Sequence, residues 1–114
     1  MAWSVYLARC VDDTLYCGIA VDVAARIAAH DAGRGARYTR GRGPLTVIVV
    51  RRCRDKEIAL RIEHAVKRLP RADKLALAVA PQRLAAIARA AHRKRARASQ
   101  RGSARQSMRT SRLS

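Results

Sequence analysis

The chain has 114 residues, room for one compact domain with a tail, and its 25 Lys+Arg against 8 Asp+Glu give a formal charge of +17. Such a surface repels itself unless a polyanion shares the charge, so nucleic acid is the expected partner, although charge names no reaction. No apolar run approaches the roughly 18 to 20 residues that cross a bilayer, and the N-terminus lacks the parts of a secretory signal. A soluble, cytoplasmic protein without a membrane partner is the expectation. Cys10, Cys17 and Cys53 are an odd set without C-x-x-C spacing, which argues against a disulfide framework or a zinc site.

Trp3 to Cys10 and Thr14 to Ala20 read as two strands around an acidic turn at Asp12-Asp13. Along them, Val5, Leu7, Cys17 and Ile19 alternate as a core face, while Ser4, Tyr6, Ala8, Tyr16, Gly18 and Ala20 form the other set. Tyr6 and Tyr16 share a face only if the turn has three residues or another odd number. A two-residue turn puts them on opposite sides. Pattern alone favours reading both as half-buried strand residues under a helix.

The next segment reads as a helix, with Asp22 as N-cap, Val23, Ile27 and His30 on one side, and Gly33 just past the end. Arg26 and His30 stand one turn apart on the flank of the apolar stripe, where a guanidinium can reach a phosphate. An exposed Arg beside a core-edge His accounts for them as well. From Gly33 to Gly43, four glycines interleave with Arg34, Arg37, Arg40 and Arg42 around Tyr38, a composition suited to a loop that follows a sugar-phosphate backbone. It lacks the Gly-Lys-Ser/Thr ending of a Walker loop.

Leu45 to Val50 reads as a third, wholly apolar strand. A second helix begins after Asp55, buries Ile58, Ile62, Ala65, Val66 and Leu69 as one stripe, and stops before Pro70. Glu63 lies about 110° from the centre of that stripe and borders the core, with Lys67 at i+4. An ordinary helix ion pair explains both. Lys74 to Val79 suggests a short helix, and Pro81 opens an Ala-rich helix running into His92 or beyond. From His92 to Ser114 there are eight Arg/Lys and no acid, so the charge divides into +8 for this tail and +9 for the rest. With few large apolar groups, the tail is expected to be disordered. The predicted architecture is α/β of the α+β type: a small three-stranded sheet flanked by helices in the order β-β-α-β-α-α, then the extra C-terminal helix and tail. Residues 1–80 form the expected domain and 81–114 the appended helix and tail.

Taken together, Val5-Tyr6-Leu7, Tyr16-Cys17-Gly18-Ile19, Arg26 with His30, Ala36-Arg37-Tyr38-Thr39-Arg40, Leu60 to Leu69 with Glu63, and Lys74-Leu75 resemble the GIY-YIG endonuclease family. The resemblance covers residues 3 to about 77 and is strongest to small stand-alone bacterial members. It implies a metal-dependent endonuclease that hydrolyses phosphodiester bonds in DNA, in repair or turnover. Tyr6, Tyr16, Arg26 and His30 are then the catalytic residues and Glu63 the ligand of Mg²⁺ or Mn²⁺. Gly18, Arg34, Arg37, Tyr38, Arg40 and Lys67 are the substrate-binding residues, and either Tyr16 or His30 is the general base. The chain departs from the family pattern at Ser4-Val5, in place of the motif's first Gly-Ile, at Cys17 and at Asp13. The alternative is a catalytically inactive nucleic-acid-binding module of the same fold. A ribosome-associated basic protein leaves the motif residues unexplained.

Overall fold

In a computed structural model the described residues are 2–33 and 43–113, with side chains described as far as residue 99. Strand β1 (Trp3–Arg9) is central, β2 (Leu15–Ala20) and β3 (Thr46–Cys53) flank it, and both pairings are antiparallel. Helix α1 is Val23–Asp31, α2 is Lys56–Lys67, α3 is Arg71–Val79 and α4 is Pro81–Leu113.

The hairpin register decides whether the tyrosines share a face. Tyr6 pairs with Gly18 and Ala8 with Tyr16, while the Cys10 N–H donates to the Thr14 carbonyl at 2.8 Å. Three residues, Val11 to Asp13, therefore form the turn, an odd number that places both phenols on one face. Asp13 takes the left-handed conformation, φ 70°, that the third residue of such a loop needs. Aspartate tolerates this better than most side chains, and its carboxylate meets Arg9 at 3.5 Å and Arg71 at 3.2 Å.

The sheet separates two apolar layers. On one side Val5, Leu7 and Cys17 pack with Ile58, Ile62 and Val66 of α2, Leu77 of α3, and Leu84, Ala88 and Ala91 of α4. On the other, Tyr6, Ala8, Cys10, Ala20 and Leu45 pack with Val23 and Ile27 of α1. All three cysteines are free and buried.

The caps explain where the helices begin. Asp22 accepts from the Ala25 N–H at 3.0 Å, and Asp55 accepts from the Ile58 N–H at 3.0 Å. Gly33, at φ 78°, lies just past the end of α1 and donates to the His30 carbonyl at 3.0 Å.

Three elements extend beyond their expected bounds. β3 reaches Cys53 because Arg51, Arg52 and Cys53 continue the ladder opposite Val5, Ser4 and Trp3. α3 starts directly after Pro70, whose fixed φ suits a helix start. α4 continues to Leu113, where apolar content alone leads to the expectation of a disordered tail. Ala, Arg, Lys and Gln are good helix formers, and they carry the helix forward from Pro81 without a glycine as far as Gly102. Early in its course α4 is also fastened. Arg95 Nη1 meets Asp55 Oδ2 at 2.7 Å, so one carboxylate group caps α2 and holds α4, and the guanidinium keeps the Asp55 pKa below its usual value.

Candidate active site

Gly18 is the floor of the site. A Cβ built there would stand 2.7 Å from Tyr6 Oη and 3.1 Å from Tyr16 Cε1, so both rings cover a position that only glycine leaves open. Over that floor the ring centroids of Tyr6 and Tyr16 are 6.1 Å apart at 50°. α1 brings His30 against both: Tyr6 Oη lies 3.3 Å from His30 Nε2, and the Tyr16 and His30 rings meet edge-on at 5.1 Å.

Exposure divides these groups. Tyr6 and His30 are 1% and 2% exposed, so they do not line a solvent-open pocket. The neighbouring strand and α1 close over them. Tyr16 is half-buried and Arg26 is exposed, which makes these two the members that a large substrate can reach.

Burial pushes the Tyr6 phenol up to about 12, with Tyr16 adding to the rise, while the Arg26 guanidinium pulls the other way as a charge and as a hydrogen-bond donor. Tyr6 thus keeps its proton at neutral pH and is a hydrogen-bonding post rather than a base. His30 is held below its ordinary value by burial and then by Arg26, with Asp31 opposing. Both shifts put Arg26 beside the Tyr6–His30 pair.

The His30 shift has a measurable consequence. A histidine with a lowered folded pKa contributes stability that is complete above its unfolded value, near 6.5, and is lost as pH falls toward the folded value. Melting temperature is therefore expected to drop between pH 7.5 and 5, and His30→Gln should flatten that part of the profile. An unchanged slope in the variant would place the acid sensitivity elsewhere.

Glu63 belongs to α2, the helix that packs on the Cys17 face of the sheet. It stands on α2 with a side chain 17% exposed, 3.6 Å from Lys67 Nζ. Its charge helps burial raise the Cys17 thiol to about 12, which locates it beside the strand residue between Tyr16 and Gly18. β2 is an edge strand, and along its edge runs an open groove of about 360 Å³ lined by Leu15, Tyr16, Cys17, Lys67 and Lys74. Tyr16 and Lys67, the partner of Glu63, thus share one groove.

Of the residues expected at the site, Tyr6, Tyr16, His30 and Arg26 come together. Glu63 and Lys67 adjoin the group around the β2 edge. Gly18, expected to meet substrate, is instead covered by the rings and seats them. Arg34, Arg37, Tyr38 and Arg40 lie outside the described residues. Lys74 joins the site without having been assigned a role from the sequence. Its signal is a cation seven residues past Lys67 across the Pro70 turn.

Among the described residues, no three His, Cys, Asp or Glu side chains gather into a metal-binding group. A lone carboxylate does fit Mg²⁺, which keeps several waters and needs only one or two protein carboxylates when substrate phosphates complete its shell. Also among the described residues, no helix is long and apolar enough to cross a membrane.

A three-stranded sheet whose central hairpin stacks two tyrosines on a glycine, with a histidine and an arginine delivered by the adjoining helix, defines the class of fold and site. The GIY-YIG catalytic domain model matches residues 2–76, and the chain belongs to that family of nucleases, whose substrates are nucleic acids. A UPF0213 protein from Nitratidesulfovibrio vulgaris is 46% identical over 74 residues, covering 65% of this chain and 67% of its own. A UPF0213 protein from Vibrio cholerae is 43% identical over 83 residues, covering 72% and 82% respectively. The solution NMR structure of a UPF0213 protein from Bacillus halodurans is 43% identical, covers 68% of this chain and 82% of its own, and aligns with a TM-score of 0.44.

Proposed function

We propose that the protein is a metal-dependent endonuclease acting on DNA, in repair or turnover, with Tyr16 and Arg26 meeting the substrate and Tyr6 and His30 holding them from behind. The observation that carries this reading is the Tyr6–His30 contact at 3.3 Å with the Tyr16 ring edge-on to the same imidazole. A network of this kind fixes the direction of the Tyr16 phenol, and a fixed polar group can orient an attacking water. Arg26, exposed at the mouth, binds a phosphoryl oxygen and neutralises charge that develops there. Tyr6, protonated at neutral pH, shares a hydrogen bond with His30 Nε2 and steadies the ring that Tyr16 leans on. Glu63 would hold the divalent ion, with Lys67 and Lys74 placing a second phosphate along the β2 edge. When bound, such an ion supplies Lewis-acid activation of the phosphodiester.

A second reading, a nucleic-acid-binding module that has lost the reaction, is favoured by one feature. The Glu63 carboxylate pairs with Lys67 at 3.6 Å, an ordinary helix ion pair. A single panel separates the two: linear, nicked, flapped and branched DNA, and RNA, incubated with the purified protein and Mg²⁺ or Mn²⁺. Cleavage that disappears with chelator and in Glu63→Ala supports the nuclease. Salt-sensitive binding without products on any substrate supports the module.

A further inference from the structure

Arg89, Arg93 and Arg97 recur every four residues on α4, all three are exposed, and the sequence repeats the spacing at Arg101, Arg105 and Arg109. Each step of four residues rises about 6 Å along a helix and turns about 40°, so Arg89, Arg93 and Arg97 form a slowly winding ridge. Two nucleotides of a duplex strand rise roughly 6.8 Å, close to one step of that ridge.

Like charges at i and i+4 repel, and residues 81–114 contain no Asp or Glu to relieve them. Among the described residues Arg95 takes the nearby carboxylates, Asp55 and Glu57, and the ion pairs leave Arg89, Arg93 and Arg97 without one. Lys94, beside the ridge, stands with Arg68 and with the Arg61–Glu57 pair around a cleft of about 520 Å³ between α2 and α4, so Lys94 and Arg68 add two cations to that surface.

We infer that the arginine ridge of α4 is a second nucleic-acid contact, which tracks a sugar-phosphate backbone from the side of the sheet opposite the tyrosines and supplies affinity rather than chemistry. A lipid surface suits the ridge less well. Membrane-lying helices need a free apolar face, and here Leu84, Ala88 and Ala91 are committed to the core. The inference rests on the nucleic-acid reading above but not on catalysis.

The test uses the full chain, without metal, on a labelled 20-base-pair duplex and a single strand of the same length between 50 and 200 mM salt. Arg89→Gln/Arg93→Gln/Arg97→Gln keeps long side chains with good helix propensity. Losing three phosphate contacts should make the plot of log affinity against log salt shallower by about 2.7 for duplex and about 2.1 for single strand. The triple lysine variant should keep the original slope. Equal slopes for the original and the glutamine variant, with circular dichroism unchanged, would overturn the inference. So would loss of binding to phosphatidylglycerol vesicles in that variant while its duplex binding stays intact. Metal-dependent cleavage measured in parallel keeps the two ideas apart. Cutting with an unaltered slope sinks only the ridge, and a shallower slope without cutting sinks only the nuclease.

Discussion

Gly18→Ala is expected to lower stability by about 1–3 kcal/mol and to remove most cleavage activity, because the new methyl occupies the space of Tyr6 Oη and crowds the Tyr16 ring. Tyr6 cannot yield without breaking its 3.3 Å contact with His30, and at 1% exposure it has no open space to enter. The hairpin must shift, or the phenol must swing and carry the imidazole with it. Chemical denaturation measures the first effect and single-turnover cleavage the second. A variant with full stability and full activity would mean that neither ring depends on the glycine floor. Gly33→Ala is the useful contrast: among the described residues an added Cβ there meets nothing within 4 Å, so the expected cost comes from the positive φ and leaves the tyrosine network untouched.

Arg26→Ala is expected to reduce the rate of cleavage by about 10²–10³ while changing DNA affinity little, the loss typical of a single charge aimed at a developing oxyanion. Arg26 is exposed and caps nothing, so the fold should survive its removal. The same change removes the cation that depresses the His30 pKa, and the acid limb of melting temperature against pH should move upward. Arg26→Lys keeps the charge without the planar donor fork and should recover part of the rate. If Arg26→Ala cleaves at the original rate, the phosphate lies elsewhere, and the Lys67–Lys74 edge is the next place to look.

Much of the fold is written in local signals that do not depend on tertiary context. Asp22 and Asp55 mark their helices because each carboxylate bonds an N–H three residues further along the same chain, and Pro70 and Pro81 stand at the starts of α3 and α4. Strand parity puts Tyr6, Tyr16 and Gly18 together once the turn is three residues long. Depth is not legible in the sequence. Whether Tyr6 is accessible depends on how closely α1 lies over β1, and that is a property of packing between elements, not of spacing within them. Glu63 shows the same limit: helical rotation puts it at the core border, but only the sheet order, with β2 at the edge, says which face it adjoins. The end of α4 escapes a reading based on apolar content because such content predicts burial, whereas a solvated helix needs only favourable backbone propensity.

The Arg95–Asp55 clamp ties the last helix to the start of α2. The stretch shared with the nuclease family stops at residue 76, yet Leu84, Ala88 and Ala91 cover the outer side of Ile62 and Val66 in the interior layer. A polypeptide trimmed to the family boundary would leave that layer wet along one flank. It would also leave the start of α2 without its stapled guanidinium. The first half of the last helix thus serves as a lid on the interior.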